Sequence, residues 1–216
     1  TSGLVDFDPG SGANVLTETK NNHEPFFSKF TPSGQLLWVK KLNSPGLSEA
    51  VHLAVAPNGQ IWLACSYTQT IDADPGSSIA LHDATHAVNV LLAGYDANGN
   101  YQQGLHIGSS QNGISVLKLQ ALTTDAQNNC LFSVTSVHDF VLVQNGLQTT
   151  YTANADENYD FLLGKLSSSG TLLFMHKFSA PGYQVLKGIT TDAQSNIYMT
   201  GSYSAAFDID PGIILS

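Results

Sequence analysis

The sequence predicts an all-β fold: β-propeller-type repeats of four-stranded antiparallel blades, about three units with half-blades at both ends, forming a partial propeller or blade array. Three observations predict it. A short acidic loop recurs as Asp6-Phe7-Asp8-Pro9-Gly10, Asp72-Ala73-Asp74-Pro75-Gly76 and Asp208-Ile209-Asp210-Pro211-Gly212. A worn copy, Leu142-Val143-Gln144-Asn145-Gly146, keeps the spacing at 66 to 70 residues. Between loops, each unit repeats two pairs of short apolar runs separated by turn residues, which reads as strands in hairpins. No window carries a sustained helical stripe.

Taken in order, residues 1–47 form a half-blade: the first loop, a third strand at Phe26–Phe30, a turn through Pro32-Ser33-Gly34 and a fourth strand from Leu36. Residues 48–110 form a full blade, with strands at Val51–Val55, Ile61–Cys65, Leu91–Tyr95 and Tyr101–Ile107. Residues 111–180 repeat it at Leu119–Thr123, Cys130–Val134, Leu162–Leu166 and Leu172–Phe178. Residues 181–216 close with a first and second strand, Leu186–Thr190 and Ile197–Gly201, and the last loop. Gly34, Gly99 and Gly170 fall at one equivalent turn, where a tight hairpin needs positive φ. The other turns place Gly59, Asn128 and Ser195 at equivalent positions; of these, serine suits left-handed geometry least.

Runs such as Phe26-Phe27 and Leu162-Leu163 put apolar residues on both strand faces. A sheet with one wet face alternates instead, so each blade is expected to be covered on both sides by its neighbours. The order from inner to outer edge is expected to follow the chain, with the acidic loop linking second strand to third.

Val5-Asp6-Phe7-Asp8-Pro9-Gly10, Phe27-Ser28-Lys29-Phe30 with Gly34 and Trp38, and Ile197-Tyr198-Met199-Thr200-Gly201-Ser202-Tyr203 give the chain a resemblance to the SBBP repeat family of bacterial extracellular proteins. The likeness spans nearly the whole chain. It implies a β-propeller within a long secreted or cell-surface bacterial protein, and no defined chemistry. Leu142 and Gln144 depart from the pattern by replacing both acidic residues.

The net charge of −9 leaves no basic patch for phosphates, which argues against nucleic acid and anionic membrane surfaces. No apolar run is long enough to span a bilayer, and no leader is recognised. Cys65 and Cys130 occupy apolar strand positions and read as buried thiols rather than a disulfide. Propellers close with about 4–8 blades. Three arrangements follow for the half-blades: an excerpt of a longer chain, identical chains completing one another, or an open array capped by neighbours.

The sharpest candidate site residues are the Asp-x-Asp pairs Asp6 with Asp8, Asp72 with Asp74, and Asp208 with Asp210. Two residues apart on extended chain, both carboxylates share a side and suit Ca²⁺, which takes about 6–8 oxygen ligands. The competing reading is a structural turn, in which Asp accepts backbone N–H bonds and Pro presets the bend. His82 and His86 have the spacing of zinc ligands but lack companions, and read as surface histidines; His52, His106 and His176 read as partly buried, hydrogen-bonded strand residues. Asp156, Glu157 and Asp160, like His23 and Glu24, precede third strands and read as solvated acidic loops rather than a glycosidase pair. Trp38 matches Phe174, and Trp62 matches Leu131 and Tyr198, which assigns them to packing; Tyr67 and Tyr203 stand near strand ends as candidate sugar-stacking residues.

The expected function is a non-enzymatic extracellular scaffold or recognition module, part of a surface filament or adhesin, with carbohydrate or protein as ligand. The alternative is a carbohydrate-active hydrolase or lyase with its site at the propeller axis. A deep axial pocket lined by carboxylates and histidines would favour the enzyme.

Overall fold

The structure, a computed structural model, describes residues 4–8, 10–17, 23–84, 88–109, 117–144, 147–152, 159–206 and 208–210. Within them it is all-β, with eighteen strands and no helix. His86, Asp156 and Glu157 lie outside the described residues.

The first acidic loop joins β1 (Leu4–Asp6) and β2 (Val15–Thr17), and the outer half-blade follows as β3 (Phe26–Phe30) and β4 (Leu36–Lys41). The next blade comprises β5 (Ser48–Val55) and β6 (Ile61–Tyr67), a small hairpin β7 (Thr70–Asp72) and β8 (Leu81–Asp83), then β9 (Asn89–Tyr95) and β10 (Tyr101–Ser109). The following one has β11 (Leu117–Thr124), β12 (Cys130–Ser136), a hairpin β13 (Phe140–Gln144) and β14 (Leu147–Tyr151), then β15 (Asp160–Leu166) and β16 (Leu172–Phe178). The inner half-blade β17 (Gln184–Thr191) and β18 (Ile197–Tyr203) follows.

Both full blades run in the expected order, β5-β6-β9-β10 and β11-β12-β15-β16, all antiparallel, with the loop hairpin inserted between second and third strands. The turns match as well. Gly34, Gly99 and Gly170 have φ of 83°, 76° and 83°, and Gly59, Asn128 and Ser195 have 87°, 66° and 64°.

Alternation along each strand feeds two interfaces. Ile61, Leu63 and Cys65 of β6 pack with Phe27 and Leu42 of the first half-blade. Trp62 and Ala64, one step out of phase, pack with Leu119, Phe132 and Leu162 of the next blade. Ala121, Phe161 and Leu163 turn the other way and meet Leu186 and Ile197. The apolar pairs in the sequence are thus the two faces of one buried strand. Both cysteines are buried free thiols.

Polar bonds join the blades at the tips of their inner hairpins. Thr124 Oγ1 donates to the Val55 carbonyl at 3.1 Å, and the equivalent Thr191 Oγ1 donates to the Thr124 carbonyl at 3.0 Å. Asn58 N–H donates to Asn128 Oδ1 at 2.9 Å, and Ala126 N–H to Ser195 Oγ at 3.2 Å. The left-handed residues Asn128 and Ser195 therefore each accept a bond from the turn of the preceding blade.

The worn loop takes a different path from its acidic counterparts. Hairpin β13–β14 pairs with β10 of the preceding blade, through His106↔Val143 to Ser109↔Phe140, extending that sheet to six strands. The hairpin β7–β8 makes the same approach in reduced form, through one bridge between Asp72 and Asn43 beyond β4.

Candidate functional site

Two groups of residues require a chemical account: the acidic loops and a cleft beside β8. In the loops, the carboxylates fold the chain upon itself. Asp6 Oδ1 accepts from the N–H groups of Asp8 and Asn14, both at 3.0 Å. Asp72 Oδ1 accepts from Asp74 at 3.1 Å and Ala80 at 2.9 Å. The second Asp of each of these pairs bonds the glycine N–H two residues on, Gly10 at 2.8 Å and Gly76 at 2.7 Å. Asp208 Oδ1 accepts from Asp210 N–H at 2.8 Å. The N–H bonds from Asp8 and then Asn14 hold the Asp6 carboxyl below the usual range. Among the described residues, no three His, Cys, Asp or Glu side chains come together as a metal-binding group.

A second carboxylate device went unread in the sequence. Asp96, Asp125 and Asp192 open turns that end in Asn100, Asn129 and Asn196. Each Oδ1 accepts from the N–H groups two and four residues on, and each Oδ2 accepts from the Asn amide. The backbone bond from Asn100 leads the lowering of the Asp96 pKa, and the Asn196 amide leads that of Asp192. Burial pushes Asp125 up, but the Lys165 ammonium at 2.8 Å and the Asn129 bonds outweigh it. An Asp followed four residues later by Asn is the signal that could have found all three.

Glu24 and Asp160, expected in solvated loops, instead have buried carboxylates held by ion pairs, which corrects that reading. Glu24 meets Lys41 at 2.9 Å, and Asp160 accepts from Ser179 at 2.8 Å with Lys177 at 3.4 Å.

The cleft occupies about 530 Å³ on the outer rim of the first full blade, between hairpin β7–β8, strand β10 and Val143 of the next unit's hairpin. The short turn strand β8 places His82 over β10, where its Nε2 lies 3.4 Å from the Tyr101 hydroxyl and its ring stands edge-on to His106, centroids 6.1 Å apart. Gly104 makes this approach possible, since a Cβ there would come within 2.7 Å of both His82 Nε2 and the Tyr101 hydroxyl. Burial, then the neighbouring His106, pushes His82 down to about 4; burial lowers His106 too, and both imidazoles are neutral at pH 7. Burial raises the Tyr101 hydroxyl to about 12. Asp83 lines the mouth, its Oδ1 accepting from Thr70 at 2.8 Å.

His106 is buried, yet among the described residues its Nε2 has no hydrogen-bond partner. Tyr67, buried edge-on to it at 6.5 Å, has an equally unpartnered hydroxyl. The structure thus corrects three further readings: His82 is a largely buried cleft residue rather than a surface one, His106 lacks the expected partner at Nε2, and Tyr198, expected to pack like Trp62 and Leu131, is 56% exposed. Tyr67, undecided from the sequence, belongs to the core. Tyr203 is exposed at the end of β18. The missed signal was Gly104, a glycine inside a strand, which marks a close approach.

No family model matches the chain. An uncharacterized WD repeat-containing protein of Acanthamoeba polyphaga mimivirus is 22% identical over 190 residues, 78% of this chain but 13% of the relative. A crystal structure of a protein of unknown function from Bacteroides caccae overlaps 76% of this chain and 57% of its own, at 11% identity and a TM-score of 0.29, where likeness carries no argument. The WD-repeat relative and the blade topology agree on a repeat protein of β-propeller kind and on nothing narrower.

Proposed function

We propose that the chain is a non-enzymatic scaffold and recognition module of an extracellular bacterial surface protein, with the rim cleft as its recognition site. The observation that carries this is the buried, unpartnered Nε2 of His106 in a cleft whose walls come from two units. Two neutral imidazoles, a phenol and the amides of Gln102 and Gln103 offer donors and acceptors without positive charge. Asp83 and the chain's negative charge disfavour anions. A neutral saccharide supplies hydroxyls for both roles, and hydrogen bonds between the inner hairpins join the blades.

The enzymatic alternative draws less support. Glycoside hydrolysis calls for two carboxyl groups about 5–9.5 Å apart, and among the described residues the cleft lining includes one, Asp83, on the rim rather than the axis. Ca²⁺ on the acidic loops stays part of the proposal, as a stiffener of Asp6, Asp8, Asp72, Asp74, Asp208 and Asp210. Calorimetric titration with Ca²⁺ tests that element, with heat expected from the native chain and less from Asp72→Asn.

For the cleft, neutral oligosaccharides are arrayed against the full chain. Saturable binding is expected, with loss in His106→Ala and in Gly104→Ala, and no release of reducing sugar. Binding that survives both substitutions would move recognition elsewhere. Sugar release abolished by Asp83→Asn would replace the module with an enzyme.

A further inference from the structure

The rim cleft lies where the flanking units hold an ion pair, and we propose that Asn89 sets its charge. An amide in place of their carboxylate keeps His106 an uncharged contact group, so the cleft takes uncharged polar ligands and refuses anions. The proposal rests on the reading of the cleft as a recognition site and adds what selects its ligand.

Strand register makes three outer-strand positions equivalent. Lys41 of β4 faces Phe26, His106 of β10 faces Leu91, and Lys177 of β16 faces Leu162. Two residues before those partners stand Glu24, Asn89 and Asp160. In the first and third units this diagonal carries an ion pair, Glu24 with Lys41 at 2.9 Å and Asp160 with Lys177 at 3.4 Å. Each lysine also donates to a carbonyl on the chain leaving the loop hairpin, Thr17 at 3.0 Å and Thr152. The charged diagonal is therefore the joint that ties hairpin to blade.

The middle unit replaces both members. Asn89 is fully buried at the carboxylate position and His106 is buried at the lysine position, its Nε2 without a partner among the described residues. Two neighbouring positions change with them. Val39 and Met175 give way to Gly104, and Trp38 and Phe174 to Gln103. Glycine for a bulky side chain, an amide for an aromatic ring and a neutral pair for a charged one open the same patch. Gln103, Gly104 and His106 all line the cleft. A structural joint has become a polar floor.

The charges around His106 explain why the amide matters. Asp83 on β8 favours its protonation, and burial outweighs that single acid. His82, also on β8, stands edge-on to it, and Asp72 on β7 acts on His82. The hydroxyls of Tyr67 on β6 and Tyr101 on β10 are kept protonated by burial. A carboxylate at position 89 would add a second acid on the diagonal that brings Asp160 to Lys177. An opposite charge within about 4–6 Å favours the charged form of a titrating group. Neutral imidazole offers one donor and one acceptor, which matches a hydroxyl or an amide; imidazolium offers two donors and a charge, which suits an anion.

The test is an NMR titration of the histidine rings in the full chain, wild type against Asn89→Asp. Wild-type His106 should titrate below 6.5. In Asn89→Asp its midpoint should rise by about one pH unit or more, while those of His52 and His176, outside the cleft, stay in place. Lys177→His, with Asp160 kept, tests the same rule on the third unit: the new imidazole should titrate above 6.5, and in Asp160→Asn with Lys177→His it should fall below. A His106 midpoint that does not move in Asn89→Asp overturns the proposal, as does a wild-type His106 already charged at pH 7. Neutral oligosaccharides found to bind the wild type should bind Asn89→Asp about tenfold more weakly at pH 6 and recover as pH rises past the new midpoint. Weakening that is equal at every pH would make Asn89 a structural residue only and overturn the proposal. Titrations as expected without saccharide binding by any chain would leave the charge assignment standing and remove the recognition reading alone.

Discussion

Ser195 holds a left-handed backbone, φ 64°, that serine does not favour, and its hydroxyl accepts the Ala126 N–H of the preceding blade. Replacing it separates the two effects. Ser195→Ala keeps the backbone cost and loses the bond, and should lower stability to urea by about 1 kcal/mol. Ser195→Asn restores the arrangement of Asn128 and should be near neutral. The turn itself was legible from its position in the repeat. Its partner, 69 residues away, was not, because only the stacking of blades brings the two together. His82 yields a pH prediction with a definite sign. Its folded pKa near 4 lies below the ordinary 6.5, so the unfolded chain takes up the proton first. Stability should be full above about pH 6.5, decline as pH falls toward about 4, and level off below. The drop is on the order of 3 kcal/mol. Buried His106 adds to it with the same sign, opposed by Asp72 and Asp83 nearby. Thermal melts across this range should flatten in His82→Gln.

Hairpin β13–β14 shows how one repeat position can serve two structures. In the Asp6 and Asp72 loops the carboxylates tie the chain into a compact turn, and at Asp72 a single bridge to Asn43 sets it beside the preceding unit. Where Leu142 and Gln144 replace them, the hairpin lies along β10, Leu142 enters the core between blades, and Phe140 stacks on Tyr151 at 5.0 Å. Leu142→Asp should therefore cost about 4 kcal/mol or more, as a buried charge without a partner. Leu147→Asp, on the exposed strand of the same hairpin, should stay within about 0.5 kcal/mol. Unfolding midpoints of the two variants make the comparison. The four strands of each full blade and their order were readable from Val, Leu and Phe runs between turns, but β13–β14 read as a loop. The docking of a loop onto a neighbouring sheet was not readable either, since β-edge pairing is written in backbone groups that every residue shares. Gly104 belongs to the same class: its role appears only once His82 is folded over it.

Across the molecule, stability is a property of interfaces between units, because each blade buries two faces only when it has two neighbours. The doubled apolar runs made this legible in the sequence. The central strands β6, β9, β12 and β15 are hydrogen-bonded on both edges and lie within blades packed on both sides. The terminal hairpins β3–β4 and β17–β18 each lack one interface and one paired edge among the described residues. Opening an end hairpin breaks one apolar cluster, whereas opening a central strand breaks two together with both its ladders. Amide hydrogen exchange should accordingly be graded, slowest in β6, β9, β12 and β15 and fastest in β18 and β3. Cys65 and Cys130, buried on those central strands, should react with a thiol reagent only through the slow opening. Uniform protection along the chain would mean that the units fold as one indivisible core, and the interface account of stability would fail.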